Sequence, residues 1–299
     1  MTANEPTPVE PAIFLVFGDL HGKILPAFRL AACWAKDHDR LVGGMLQVGD
    51  LGYFPDPARL DKATVRHAEK DPLELGTLDV VEPNDFADQV FADPLCPPAL
   101  WFTAGNHEDF DALDRLAEAA VAVPDFSVDH YGRVRCINDG MVVALPPDSG
   151  LTAPLRVGAV WGVDGDGPNA QRGLPPRTRI RKQAADRLKR AAFDVLLSHD
   201  APQDARWSGY GSKLLRGAVE TVRPAFAFFG HYGGDGARSD VNFGTTEVYH
   251  MAGLELAGRD GCPTPGSVGV LEWANGVGTF EYVPTAWLNT FTRHNWKWR

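Results

Sequence analysis

Cysteine is scarce in this chain and never clustered. The 299 residues hold four, and Cys33, Cys96, Cys136 and Cys262 stand too far apart to form a C-x-x-C pair. That argues against a zinc ribbon or a dithiol redox motif and predicts reduced, mostly buried thiols. Long apolar runs are also missing; none approaches the roughly 20 residues of a membrane span. Met1 to Pro11 is acidic and proline-containing, without the basic-then-apolar order of a secretory leader, so a cytoplasmic protein with no membrane partner is expected. Positive charge is in the minority, 29 Lys and Arg against 39 Asp and Glu, for a net charge of −10. The surface as a whole therefore does not suit nucleic-acid binding. There is no internal repeat, low-complexity tract or convincing linker.

What is present is a set of short apolar runs, each ending in metal-binding side chains. Ile13 to Phe17 leads into Gly18-Asp19-Leu20-His21-Gly22, and Met45 to Val48 into Gly49-Asp50. Leu100 to Thr103 precedes Gly105-Asn106-His107-Glu108. Val195 to Leu197 precedes Ser198-His199-Asp200, and Phe226 to Phe229 precedes Gly230-His231-Tyr232-Gly233. Runs of this length, rich in β-branched and aromatic residues, read as buried strands. Open α/β sheets place their sites at such strand ends. The ligands would then gather along one sheet edge.

Between the strands, helices are expected at Lys23 to Asp37, Asp109 to Ala120, Arg177 to Ala192 and Leu214 to Val222. Leu41 to Val48 should form the second strand, and strand–helix–strand implies a right-handed crossover. The stretch from Asp50 to Gly105 reads as an elaboration beside the site, with a helix within Asp56 to Lys70 and a short strand at Leu78 to Val81. Ser127 to Val163 suggests antiparallel strands, and Val241 to Pro284 further short strands and turns. The expected organisation is a disordered start over 1–11, a single domain over 12–285 with an insertion near 53–98, and a C-terminal tail over 286–299.

Carboxylates, imidazoles and a side-chain amide together suit Mn²⁺, Fe, Zn²⁺ or Ni²⁺ better than Ca²⁺ or Mg²⁺ alone. Asp19 and His21 share a face because alternate residues of an extended segment do so. Two divalent ions about 3.5–4 Å apart on such ligands can polarise a phosphoryl group and generate hydroxide at neutral pH. Asp50 is the natural bridging carboxylate.

The ordered blocks resemble the calcineurin-like metallophosphoesterase superfamily, whose pattern is D-x-H, G-D, G-N-H-[DE], H, then G-H-x-H. The match runs from Asp19 to Tyr232. The resemblance implies an α/β fold, an αββα sandwich of two mixed sheets flanked by helices, with two divalent metals (Mn²⁺ or Fe/Zn²⁺) at the strand ends. Asp19 and His21 resemble ligands of the first metal, Asp50 the bridge, and Asn106, His199 and His231 ligands of the second. His107 matches the histidine that contacts the phosphate and can protonate the leaving oxygen. The last block departs from the pattern, because Gly233 stands where the second histidine belongs. The first metal is then held more weakly by Asp19, His21, Asp50 and water, or Asp235 or His250 replaces the ligand, or the site works with one metal.

No Asp-Arg-Gly follows Asp50, where Leu51-Gly52-Tyr53-Phe54 stands instead, which disfavours the protein Ser/Thr phosphatase and dinucleoside polyphosphate hydrolase branches. A partial resemblance to the RNA lariat debranching enzyme runs through Asn106-His107-Glu108 and Leu196 to Pro202. The expected activity is hydrolysis of a phosphate ester, first a phosphodiester, on a substrate that includes nucleotides or nucleic acid. The alternatives are a phosphomonoesterase, or a catalytically weakened scaffold that binds a partner. Glu108 and Asp200 read as turn or supporting residues. Arg181 to Arg190 reads as a solvated helix face, whereas Arg172 and Arg177, in a Gly/Pro loop, are candidates to bind the phosphate.

Overall fold

The computed structural model describes residues 10–120, 122–145, 154–165, 173–256 and 260–299. The expectation of disorder over 1–11 therefore falls almost wholly outside the described residues. The strands begin with β1 (Ala12–Phe17), β2 (Gly44–Gln47), β3 (Leu100–Phe102), β4 (Asp125–Ser127), β5 (Val134–Ile137), β6 (Val142–Leu145) and β7 (Leu155–Val160). They continue with β8 (Val195–Ser198), β9 (Phe226–Phe229), β10 (Ala237–Arg238), β11 (Glu247–His250), β12 (Val268–Ala274) and β13 (Val277–Tyr282). The α-helices are α1 (Ile24–His38), α2 (Lys62–Ala68), α3 (Leu78–Val81), α4 (Asp85–Phe91), α5 (Phe110–Ala119), α6 (Lys182–Leu188), α7 (Lys213–Val222) and α8 (Thr285–Leu288).

Two mixed sheets result, ordered β13-β12-β1-β2-β3-β5-β4 and β10-β11-β9-β8-β7-β6. Their strands have apolar residues on both faces, and the alternation of side chains divides each strand between two layers. Ile13, Leu15 and Phe17 of β1 pack outward against α1, while Phe14 and Val16 face the second sheet. Phe226 and Phe228 of β9 face the first sheet, and Ala227 and Phe229 pack outward against α7. Three apolar layers thus separate helices, sheet, sheet and helices, which is an αββα sandwich. β1, β2 and β3 run parallel, as do β7, β8 and β9. The C-terminal ends of β1, β2 and β3 therefore lie at one edge, next to those of β8 and β9.

Several local expectations change. Leu78–Val81 is helical rather than a strand; a segment of four residues is too short for periodicity to separate the two. The helix expected from Arg177 to Ala192 shortens to Lys182–Leu188. The backbone at Thr178 and Ile180 is committed to Val163 instead: Val163 N–H donates to Thr178 O at 2.9 Å and Ile180 N–H to Val163 O at 3.0 Å. The aromatic C-terminal residues pack onto the body, with Leu288, Phe291 and Trp296 buried in the layer that holds α1 and α4.

Candidate metal centre

Asp50 is the hub of the strand-end cluster. One carboxylate oxygen, Oδ1, accepts from the N–H groups of Asn106 at 2.7 Å and His107 at 2.8 Å. The other, Oδ2, lies 3.1 Å from His199 Nε2 and 4.0 Å from His21 Nε2. Its carbonyl accepts from Leu20 and His21 N–H at 3.0 and 2.9 Å, tying the first block to the second. Asp50, His21 and His231 all have positive φ, at 52°, 41° and 67°. L-residues rarely adopt that backbone, and where structure forces it the position is often functional. Two glycines allow the close approach: a Cβ on Gly105 would stand 2.1 Å from Asp50 Oδ1, and one on Gly230 2.1 Å from Asp19 Oδ1.

The other blocks converge on the same point. His199 is fully buried, its Nδ1 3.2 Å from Val48 O and 3.7 Å from Asp19 Oδ1. The rings of His199 and His231 are 5.0 Å apart, and those of His21 and His107 5.8 Å. Asp19, His21 and Asp50 can each turn a ligand atom to within 4.8 Å of the others, so this group can hold a metal ion. One buried polar atom here, Asn106 Oδ1, makes no hydrogen bond, and His199 Nε2 meets only the Asp50 carboxylate at 3.1 Å. An unpaired buried acceptor is costly unless something else coordinates it, so the donor set fits a cation.

The electrostatics of the metal-free cluster point the same way. Burial, only partly opposed by His199, pushes Asp19 up to about 6. Asp50 is held well below the usual carboxylate range, because His199, His107 and His21 outweigh its burial. Burial lowers His199, yet the charges of Asp50 and Asp19 win and raise it to about 9. Burial and the neighbouring His199 lower His231 to about 4. A protonated His199 places positive charge between Asp50 and Asp19, which is part of what a cation would supply; metal binding at such groups releases protons.

His107 is held from outside the strand-end set. Its Nδ1 lies 2.5 Å from Asp61 Oδ2. Burial opposes the charged imidazole, but Asp61 and Asp50 raise it to about 9. Asp61 is also the N-cap of α2, its other oxygen accepting from Thr64 N–H at 2.7 Å. Nothing in the sequence marked Asp61, because its partner lies 46 residues away; an Asp opening a helix reads as a cap and nothing more. Ala63, Thr64 and His67 of α2 line a cavity of about 330 Å³ with Asp19, His21, Asp50, His107 and His231. The elaboration between Asp50 and Gly105 therefore builds one wall of the site.

The remaining candidates sort as follows. Glu108 accepts from the N–H groups of Leu51 at 2.8 Å, Tyr53 at 2.6 Å and Gly105 at 3.4 Å, so it splints two loops. Asp200 accepts from Tyr232 O–H at 2.6 Å, Ala201 N–H at 2.8 Å and Asp164 N–H at 2.8 Å, a supporting position. His250, one of the expected substitutes for the histidine absent at Gly233, is engaged by backbone instead: its Nε2 is 2.6 Å from Tyr232 O and its Nδ1 3.3 Å from Asp235 O. Arg177 pairs with Asp111 in the first turn of α5 and does not line the cavity. Arg172 lies outside the described residues. Arg181 pairs with Asp114, and Lys182 and Lys189 with Asp186. On the His231 side, Trp207 and Tyr210 are exposed, and the Trp207 and Tyr232 rings are 5.3 Å apart.

No protein-family model and no curated protein sequence matches the chain. Solved structures do. One chain superposes with a TM-score of 0.51 at 15% identity, covering 92% of this chain and 100% of that one, which shows a shared fold. TT1561 of Thermus thermophilus is similar at TM-score 0.49 and 12% identity, over 92% and 100% of the two chains. A 5'-nucleotidase from Candida albicans is similar at TM-score 0.42 and 10% identity, over 97% of this chain and 56% of that one. Likeness this distant speaks to fold and not to activity. Among the described residues no helix is long and apolar enough to cross a membrane.

Proposed function

We propose that this chain is a metal-dependent phosphoesterase of the calcineurin-like type, acting first on phosphodiesters. The observation that carries the reading is Asp50, fixed by two N–H donors between Asp19 and His21 on one side and His199 on the other, with His107 and Asp61 alongside. Asp19, His21 and Asp50 would hold one divalent ion, and Asp50, Asn106, His199 and His231 a second; Mn²⁺ or Fe/Zn²⁺ suits these donors. Bound there, such ions supply Lewis acidity toward phosphoryl oxygens and a nucleophile from water at neutral pH.

The protein's own groups do the rest. Asp61 occupies Nδ1 of His107 and leaves Nε2 to meet the substrate. That tautomer-fixing bond suits His107 to donate a proton to the leaving oxygen. The α2 wall limits water access from one side. A diester ranks first for the lariat-like blocks and the absent Asp-Arg-Gly. The exposed Trp207 and Tyr210, with Trp207 against Tyr232, add a place for a base of a nucleotide substrate to stack. Gly233 favours the weakened-scaffold reading, but a binder has no use for the Asp61–His107 pair.

The test is hydrolysis of bis(p-nitrophenyl) phosphate and of p-nitrophenyl phosphate by Mn²⁺-loaded protein. Faster diester turnover, abolished by chelation and restored by Mn²⁺, is expected. Turnover of the monoester alone would move the substrate class, and turnover of neither would favour the scaffold.

A further inference from the structure

We infer that Glu255 supplies the first-metal ligand that Gly233 cannot. The inference rests on the metal-dependent reading above and names a residue that the sequence blocks do not contain. Gly233 is exposed, and a Cβ placed on it would meet nothing within 4 Å. No neighbouring atom has filled that space. His250 is spent on backbone carbonyls, and Asp235 is exposed with its carbonyl engaged by Arg206 Nη2 at 3.2 Å. Neither substitute expected from sequence lines the cavity.

Glu255 lies on the other flank. The chain leaving β11 passes beside the β1 tip, where Leu254 N–H donates to Asp19 O at 2.7 Å. One residue further on, Glu255 lines the cavity together with Asp19, His21 and Asp50. The open face of Gly253 sits between the two carboxylates: a Cβ there would be 3.7 Å from Asp19 Cβ and 3.7 Å from Glu255 Oε1.

The Glu255 carboxylate has little else to do. Its partner among the described residues is Lys23 Nζ at 3.9 Å, and Lys23 is already held by Glu74 at 2.8 Å and Asp71 at 3.6 Å. Its side chain is 47% exposed, so it can swing toward a cation without breaking a buried contact. A carboxylate in place of an imidazole also adds a negative charge and an oxygen donor. That shifts preference toward harder ions such as Mn²⁺ over Zn²⁺.

The experiment is Mn²⁺ titration of the chelator-stripped full chain by calorimetry, with metal content measured after desalting. It compares wild type, Glu255→Gln, and Glu255→Gln combined with Gly233→His; thermal melts in EDTA check that all three fold alike. Wild type is expected to hold two ions, and Glu255→Gln to lose at least about tenfold in affinity at one of them. The Gly233→His double variant should regain it, with a shift of preference toward Zn²⁺. Two ions bound by Glu255→Gln with unchanged affinities would overturn the inference, and so would loss without recovery in the double variant. A wild-type chain holding fewer than two ions would instead overturn the two-metal reading, and this inference with it.

Discussion

The two halves of the strand-end cluster are made differently. The rear half, Asn106, His199 and the inner oxygen of Asp50, is buried and fixed by backbone N–H groups or packed into the join between the sheets. The front half, Asp19, His21 and the cavity mouth, is more open, with His21 25% exposed against 4% for Asp50. A buried ligand set is held in place before metal arrives and loses little entropy on binding, whereas an open one can recruit a side chain from a neighbouring loop.

The contrast predicts a graded series. The largest loss belongs to the shared residue. Asp50→Asn should cut diester turnover by at least about a thousandfold, roughly 4 kcal/mol of transition-state stabilisation; kcat within tenfold of wild type would end the assignment. Next comes the proton donor. His107→Gln should lower kcat by about 10²–10⁴-fold with p-nitrophenyl esters of increasing leaving-group pKa, most for the poorest leaving group. Asp61→Asn should give a smaller loss in the same pattern, about 10–100-fold, since it acts through His107; a uniform loss across leaving groups would deny it that role.

Stability should respond at the splint between the loops. Glu108→Ala orphans buried N–H groups on two loops and should cost about 3 kcal/mol, read as a melting temperature lower by on the order of 6 °C. An unchanged melt would show that the loops do not depend on this splint. The smallest effect sits farthest out: Trp207→Ala should raise KM for a nucleotide diester about tenfold and leave bis(p-nitrophenyl) phosphate nearly unaffected. Equal effects on both substrates would remove the aromatic ledge from the account.

The same division explains what the sequence could reveal. Candidate ligands at strand ends follow apolar runs directly, so Asp19, His21, Asp50, Asn106, His199 and His231 stand out from local pattern, and the α/β class with them, while the sandwich is implied by the family resemblance. Asp61 and Glu255 do not stand out. Each reaches the site through a long-range contact, to His107 across 46 residues in one case and beside Asp19 through the β11 exit in the other. An N-capping Asp and a loop Glu carry no period or spacing that distinguishes them. The shortened α6 shows the same limit, because a tertiary bridge at Val163 overrode good helical composition.

The most direct test of the central claim is a metal count by mass spectrometry on Mn²⁺-loaded, desalted wild type and Asp50→Asn. The account predicts two ions per wild-type chain and the loss of both, or nearly both, in the variant, because one carboxylate serves the two halves. An Asp50→Asn chain that keeps two ions would contradict it.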